Sequence, residues 1–172
     1  IIKDFLNRLN IKSSSAVCEI GCGIGNNVPT MLNYFNFITV TDVSKNALKI
    51  LKTKFNSENN IVTINEDIED NSLPTNYFDL AICTEVLEHT ENVNKVFTTL
   101  DSILNNGGAI IISIPNYLNF SGIWKYTHEY LFKKPWDAWG NHTNGRENAL
   151  TFISIRSLLK KRNYQILEER GG

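Results

Sequence analysis

The chain has 172 residues, of which 42% are hydrophobic, 20% charged and 10% aromatic. That is the size of one ordinary domain, long enough to bury a core without disulfide or metal staples. Seventeen basic residues stand against 18 acidic ones, for a formal charge of -1, so no global basic excess provides a nucleic-acid footprint. The composition also excludes a disordered chain, a collagen-like repeat and a disulfide scaffold. The longest apolar stretch, Ala109 to Ile112 extended by Ser113 and Ile114, is far too short to span a bilayer.

The hydrophobic period alternates between helical and strand-like along the chain. Ile2, Phe5, Leu6 and Leu9 recur at helical spacing, and Ile1 to Asn10 reads as an amphipathic helix rather than the apolar core of a signal peptide. The chain does not begin with Met, so a trimmed N-terminus is expected. Ala16 to Ile20 is a short apolar run ending at glycines, as in a buried strand. Asn26 or Asn27 can cap the next helix, with Pro29 in its first turn and Met31, Leu32 and Phe35 on its core face. Phe37 to Thr41 predicts a second strand, closed by Asp42. Ser44 suits the cap of a helix with Ala47, Leu48, Leu51 and Phe55 inward. Ile61 to Ile64 is a third strand, followed by Glu66 and Asp67.

Pro74 and Asn76 mark a turn before a fourth strand, Phe78 to Cys83. Val93, Val96, Phe97, Leu100 and Leu104 form a helical stripe, and Gly107-Gly108 is placed to end that helix in the left-handed conformation. Ala109 to Ile114 is a fifth strand, stopped by Pro115. Asn116 to Leu150 has no clean period. Ser154 predicts a cap for a helix with Ile155, Leu158 and Leu159 inward, and Tyr164 to Glu168 a last strand. Lys133-Lys134 and Lys160-Lys161-Arg162 read as solvated faces or helix ends. Cys18, Cys22 and Cys83, an odd number in apolar settings, favour a reducing compartment, and a cytoplasmic location is expected.

Strands alternating with helices predict an α/β fold: a Rossmann-like, doubly wound, mostly parallel sheet with helices on both faces. Ligands of such sheets bind beyond the carboxyl ends of the strands, at the switch point. The chemistry-bearing residues follow the strands accordingly: Gly21 to Gly25, Asp42, Asp67 and Thr84 to His89. In Glu19-Ile20-Gly21-Cys22-Gly23-Ile24-Gly25 the spacing is G-x-G-x-G. A dinucleotide fingerprint needs a glycine at position 26, where Asn26 stands, and a phosphate-binding P-loop needs Gly-Lys-Ser/Thr, which is absent. Asp42 suits a ribose diol, accepting from both hydroxyls, and Asp67 an adenine amino group.

These residues resemble the class I S-adenosylmethionine (SAM) methyltransferases. The likeness runs through Val17 to Gly25, Val40-Thr41-Asp42-Val43-Ser44, Asn65-Glu66-Asp67, Phe78-Asp79-Leu80, Glu85-Val86-Leu87-Glu88-His89, and Gly107-Gly108 to Pro115-Asn116. It is nearest to the small-molecule branch that includes ubiquinone-biosynthesis O-methyltransferases. The resemblance implies SAM as cofactor. It implies that Gly21, Gly23 and Gly25 line the methionyl and ribose part, that Asp42 holds the ribose, that Asp67 and Ile68 meet the adenine, and that Cys83 and Thr84 offer backbone to the methionyl amine. Glu19, Cys22 and Val43 complete the expected cofactor-binding set. The family's fold continues after its sixth strand with a reversed seventh, whereas this sequence stops at Gly171-Gly172. The final strand is therefore expected to be lacking through a shortened chain, or supplied in another way.

A hydroxyl acceptor benefits from a nearby base, and His89 and His142 are the candidates. Glu85, Glu88 and His89 fall at i, i+3 and i+4, where one helical turn would put them on one face, with His142 able to complete a cation site. That set resembles the metal site of small-RNA 3′-end 2′-O-methyltransferases, but the same stretch is structural in metal-free members, and no metal is expected here. The single domain is taken as 1–172, with 116–150 as a substrate-lid insertion. Its aromatic residues, including Trp124, Trp136 and Trp139, suit an apolar or ring-bearing substrate. Interleaved Trp, Tyr and Lys would also allow contact with a membrane surface, a weaker reading. The expected function is methyl transfer to an oxygen, less readily a nitrogen, of a small molecule, with no nucleic-acid partner. A metal-dependent RNA 3′-end methyltransferase and a non-catalytic SAM-fold binding domain are the alternatives.

Overall fold

The computed structural model describes residues 2–9, 11–70, 72–115 and 150–171, together with Gly122, Trp124, Thr127, His128, Leu131 and Asn148. The chain divides into two compact units, Ile1–Ser113 and Ile114–Gly172. The first contains β1 (Val17–Ile20), β2 (Ile38–Asp42), β3 (Ile61–Asn65), β4 (Phe78–Thr84) and β5 (Leu104–Ser113), with helices α1 (Ile2–Leu9), α2 (Val28–Leu32), α3 (Lys45–Lys54) and α4 (Val93–Ile103). The five strands form one parallel sheet in the order β3-β2-β1-β4-β5. The order reverses direction at β1, so the switch point lies between the ends of β1 and β4, as the alternating pattern predicts.

Side-chain alternation divides the sheet into two faces. Val17, Ile38, Val40, Leu80, Ile82 and Ile111 share one core with Leu6 of α1, Val28 and Met31 of α2, and Leu48 and Leu51 of α3. The alternate residues Cys18, Ile20, Ala81 and Cys83 are equally buried, on the opposite face. Right-handed crossovers place α4 on that second face, since β5 extends the sheet in the direction opposite to β2 and β3. The buried Val96, Phe97, Leu100 and Ile103 of α4 are its cover. Full burial of an aliphatic side chain contributes roughly 1.5–3 kcal/mol, so these stripes are the main reason the helices form at all.

Helix α3 has the cap the sequence predicts, and α4 has one that the sequence did not suggest. Ser44 Oγ accepts the N–H of Ala47 at the start of α3, and Asn92 Oδ1 accepts the N–H groups of Asn94 and Lys95 at the start of α4. Three elements differ. Gly107-Gly108 does not end α4, which stops at Ile103 and passes directly into β5. The register steps from Phe78↔Leu104 to Leu80↔Ala109, and Gly107, at φ 81°, lies in that irregularity. The glycine pair thus serves a bulge rather than a helix end. In the second unit, the helix α5 (Phe152–Lys161) is capped by Thr151, whose hydroxyl accepts from Ser154 N while Ser154 Oγ accepts from Thr151 N. Ser154 is the third residue of a capping box, not the cap itself. Finally, Tyr164 to Glu168 has no regular secondary structure. A strand exists only by pairing, and Ile166 and Leu167 here stand 42% and 69% exposed, unlike a half-buried strand face. Among the described residues no helix is long and apolar enough to cross a membrane.

Candidate functional site

The parallel register brings Ile20, Asp42, Asn65 and Thr84 to one rim of the sheet. The glycine turn follows β1 there. Gly21 has φ 67°, and a Cβ on it would come within 2.3 Å of Val86 Cγ2, so both its backbone and its packing exclude a side chain. Gly23, at φ 52°, has nothing within 4 Å of where its Cβ would lie. The first glycine is required by the protein's own packing; the second leaves open space at the rim.

Asp42 fastens this turn to β2. Its Oδ2 accepts the N–H of Gly23 at 2.7 Å and its Oδ1 that of Ser44 at 2.8 Å, while Cys22 N donates to Thr41 O at 2.9 Å. Asn65 Nδ2 in turn donates to Asp42 O and Val43 O. The carboxylate is therefore held by backbone on both oxygens, and each oxygen keeps a further lone pair. Val43 beside it is exposed.

Beneath the turn lies Glu19, 1% exposed. Asn27 Nδ2 donates to its Oε1 at 2.6 Å and also reaches Thr84 Oγ1 at 3.5 Å, while Oε2 has no hydrogen-bond partner. Burial pushes the Glu19 carboxyl up to about 7; the Asn27 hydrogen bond lowers it in part, and the negative charge of Asp42 raises it again. The three thiols are buried and free. Burial pushes Cys22 and Cys83 up to about 12, and Cys18 higher still, so all three are neutral at physiological pH.

The loops after β3 and β4 complete the rim. Asp67 Oδ1 accepts the N–H of Glu69 at 3.0 Å, and Ile68 is buried beside it. Glu69 reaches across to the start of α4, accepting from Glu91 N at 2.6 Å and Asn92 N at 3.0 Å. Glu85 has φ 55°, and its carboxylate accepts from Ser113 Oγ at 2.5 Å. Leu87–His89 is a single 3₁₀ turn. Glu85, Glu88 and His89 thus do not form one helical face: Glu85 precedes the turn and is tied to β5, Glu88 is buried, and His89 is exposed, its Nε2 3.9 Å from Glu88 Oε1. Among the described residues no group of three His, Cys, Asp or Glu side chains is placed to hold a metal. His142 lies outside the described residues.

The expected cofactor-binding residues Glu19, Gly21, Cys22, Gly23, Gly25, Asp42, Val43, Cys83 and Thr84 gather around the ends of β1, β2 and β4, and Asp67 and Ile68 follow β3. Asn27, Asn65, Glu69 and Ser113 were not singled out as site residues by the sequence. Asn27 was visible only as a possible helix cap, and the partners of the other three are set by the tertiary fold. The donor set fits SAM: Asp42 offers acceptors for hydroxyls, Gly23 leaves room, and the buried Glu19 keeps an unpaired acceptor for a cationic group.

Residues 18–112 match the family described as a methyltransferase domain. The chain is 35% identical over 99 residues to malonyl-[acyl-carrier protein] O-methyltransferase 2 of Ilyobacter polytropus, covering 56% of this chain and 38% of that protein. It is 26% identical over 167 residues to the mitochondrial ubiquinone biosynthesis O-methyltransferase of Schizosaccharomyces pombe, covering 94% and 59%. Its fold is similar to that of phosphoethanolamine N-methyltransferase 2 of Haemonchus contortus, solved with S-adenosyl-L-methionine, at TM-score 0.71 and 18% identity, over 93% of this chain and 35% of that one. This chain spans less than two thirds of the length of either curated relative. With its parallel sheet, glycine turn and strand-end carboxylates, the chain belongs to the methyltransferase domain family, in the class I SAM-dependent fold.

Proposed function

We propose that this chain is a SAM-dependent methyltransferase that transfers a methyl group to an oxygen of a small, apolar or ring-bearing molecule. The observation that carries the reading is the Asp42 carboxylate, fixed at the rim between the glycine turn and β2. When bound, SAM supplies a methyl group on a sulfonium, open to in-line displacement. Asp42 accepts from the ribose hydroxyls, Asp67 and Ile68 meet the adenine, and Glu19, Cys83 and Thr84 surround the amino-acid end, with Gly21, Cys22, Gly23, Gly25 and Val43 lining the rest. The remaining task of the protein is to orient the acceptor and exclude water. A hydroxyl acceptor also loses a proton, and His89 and His142 are the residues proposed to take it.

Both curated relatives named above are O-methyltransferases, which supports oxygen over nitrogen. The aromatic residues of 116–150 support an apolar acceptor and a lid role for that insertion within a single 1–172 domain. The three free cysteines support a cytoplasmic setting, and the near-zero charge supports a small-molecule partner over a nucleic acid.

The test joins calorimetry of SAM and S-adenosylhomocysteine with an acceptor panel of phenols, carboxylic acids and amines. Micromolar binding that resists EDTA and is lost in Asp42→Ala, with turnover on the oxygen acceptors, is expected. Turnover on amines alone would remove the oxygen assignment, and absence of binding by folded protein would remove the enzyme reading.

A further inference from the structure

Asn27 stands at the N-cap of α2, where an Asn side chain ordinarily accepts a backbone N–H of the first turn. It makes no such bond. Its amide nitrogen donates instead to Glu19 Oε1 at 2.6 Å and to Thr84 Oγ1 at 3.5 Å. An amide nitrogen carries two hydrogens, so one Asn27 can serve both. The carboxylate partner also fixes which way the amide faces, since only its nitrogen side can donate. A short helix has thus lost its cap bond to a contact among the ends of α2, β1 and β4, and local rules are broken in this way where a site requires it.

The consequence falls on Glu19. With Oε1 occupied by Asn27, the carboxylate keeps one orientation, and its Oε2 is the buried oxygen without a partner. A buried carboxylate oxygen needs a proton or a hydrogen-bond donor, and a cationic donor serves a charged oxygen best. Its charged neighbour is Asp42, which repels it, and the adjacent Cys18 and Cys22 thiols are neutral. Among the described residues no cation of the protein answers it. SAM has two cationic centres, and only its ammonium carries hydrogens to donate; the sulfonium has none.

We propose that Asn27 is a positioning residue for the amino-acid end of the cofactor, holding Glu19 so that Oε2 receives the ligand's ammonium. This rests on the SAM reading above. Asn27 then tunes affinity for ligands that carry the amino acid and is indifferent to those that lack it.

The experiment is calorimetry of S-adenosylhomocysteine and of 5′-methylthioadenosine, which keeps the nucleoside and sulfur but has no amino acid. Both are titrated into the wild-type chain, Asn27→Ala and Asn27→Ser. A hydrogen bond to a charged group is worth roughly tenfold to a hundredfold in affinity. Asn27→Ala is expected to weaken S-adenosylhomocysteine by about that factor and to leave 5′-methylthioadenosine within about twofold. Asn27→Ser, which can restore the cap of α2, is expected to melt no lower than wild type while showing the same selective loss. Equal losses for both ligands would make Asn27 a mere shaper of the loop and overturn the proposal, as would no loss for either. If the folded wild type binds neither ligand, the cofactor reading itself falls, a result separable from both.

Discussion

Asp42 Oδ2 lies 2.7 Å from the amide nitrogen of Gly23, joining the end of β2 to the turn after β1. The same carboxylate that is proposed to hold the ribose therefore holds the turn as well. Asp42→Ala is expected to reduce SAM affinity by about a hundredfold and stability by roughly 2 kcal/mol, since both a charge-assisted bond and its backbone partner are lost. Asp42→Asn keeps one acceptor and is expected to recover most of the stability but little of the affinity. Denaturant titration beside calorimetry separates the two effects.

Glu19 predicts a pH dependence whose sign is fixed by its position. Its folded-state value is raised from 4.5 to about 7, so the folded protein holds a proton that the unfolded chain has released. The associated stability is present at pH 4 and is lost as pH rises to about 7, by on the order of 3 kcal/mol. Glu19→Gln is expected to flatten this part of the profile, measured as melting temperature against pH in the absence of ligand. SAM affinity in the wild type is expected to move the other way, rising as pH climbs through 7, because the ammonium is best met by the ionised carboxylate. A flat affinity profile between pH 6 and 8 would detach Glu19 from the ligand (the two pH limits bracket the shifted value of about 7).

Gly21 and Val86 are in the closest prospective contact of the turn, with 2.3 Å left for a Cβ. Gly21→Ala is expected to cost about 3 kcal/mol, combining left-handed backbone strain with overpacking. The double variant Gly21→Ala/Val86→Ala is expected to recover the overpacking share alone. Full additivity of the two changes in a thermal-melt cycle would contradict the contact.

Glu69 joins the loop after β3 to the N-terminus of α4 through the amides of Glu91 and Asn92. Glu69→Ala is expected to lower stability by about 2 kcal/mol and to speed amide exchange in residues 66–70 and 91–92. Exchange confined to the variant site would limit Glu69 to a surface role.

The sequence made the order of elements legible because each strand has its own punctuation: Gly21 after β1, Asp42 closing β2, Asp67 after β3. The caps at Ser44 and the core stripe of α4 were equally readable, since a cap and a stripe are local. Gly107 was misread because a helix-ending glycine and a bulge glycine have the same conformational demand; only the ladder with Phe78 and Leu80 distinguishes them. Thr151 and Ser154 were confused because both suit the cap, and the reciprocal pair of hydrogen bonds decides between them. At the site, the glycines and acids announced themselves by type. The Asn27–Glu19 bond did not, since it joins a loop to a strand face, and local propensity assigned Asn27 the ordinary task of starting a helix.

The three cysteines lie 0%, 6% and 0% exposed, at Cys18, Cys22 and Cys83. A thiol alkylating reagent attacks only an accessible thiolate, so the folded protein is a closed vessel to it, and every labelled molecule records an opening event. Cys18 and Cys83 sit on central strands and register the separation of the sheet, whereas Cys22 sits in the glycine turn and registers the turn alone. Mass spectrometry of the labelled chain would count the two kinds of opening separately, without any introduced probe. A ligand that fills the rim should slow the clock at Cys22 first.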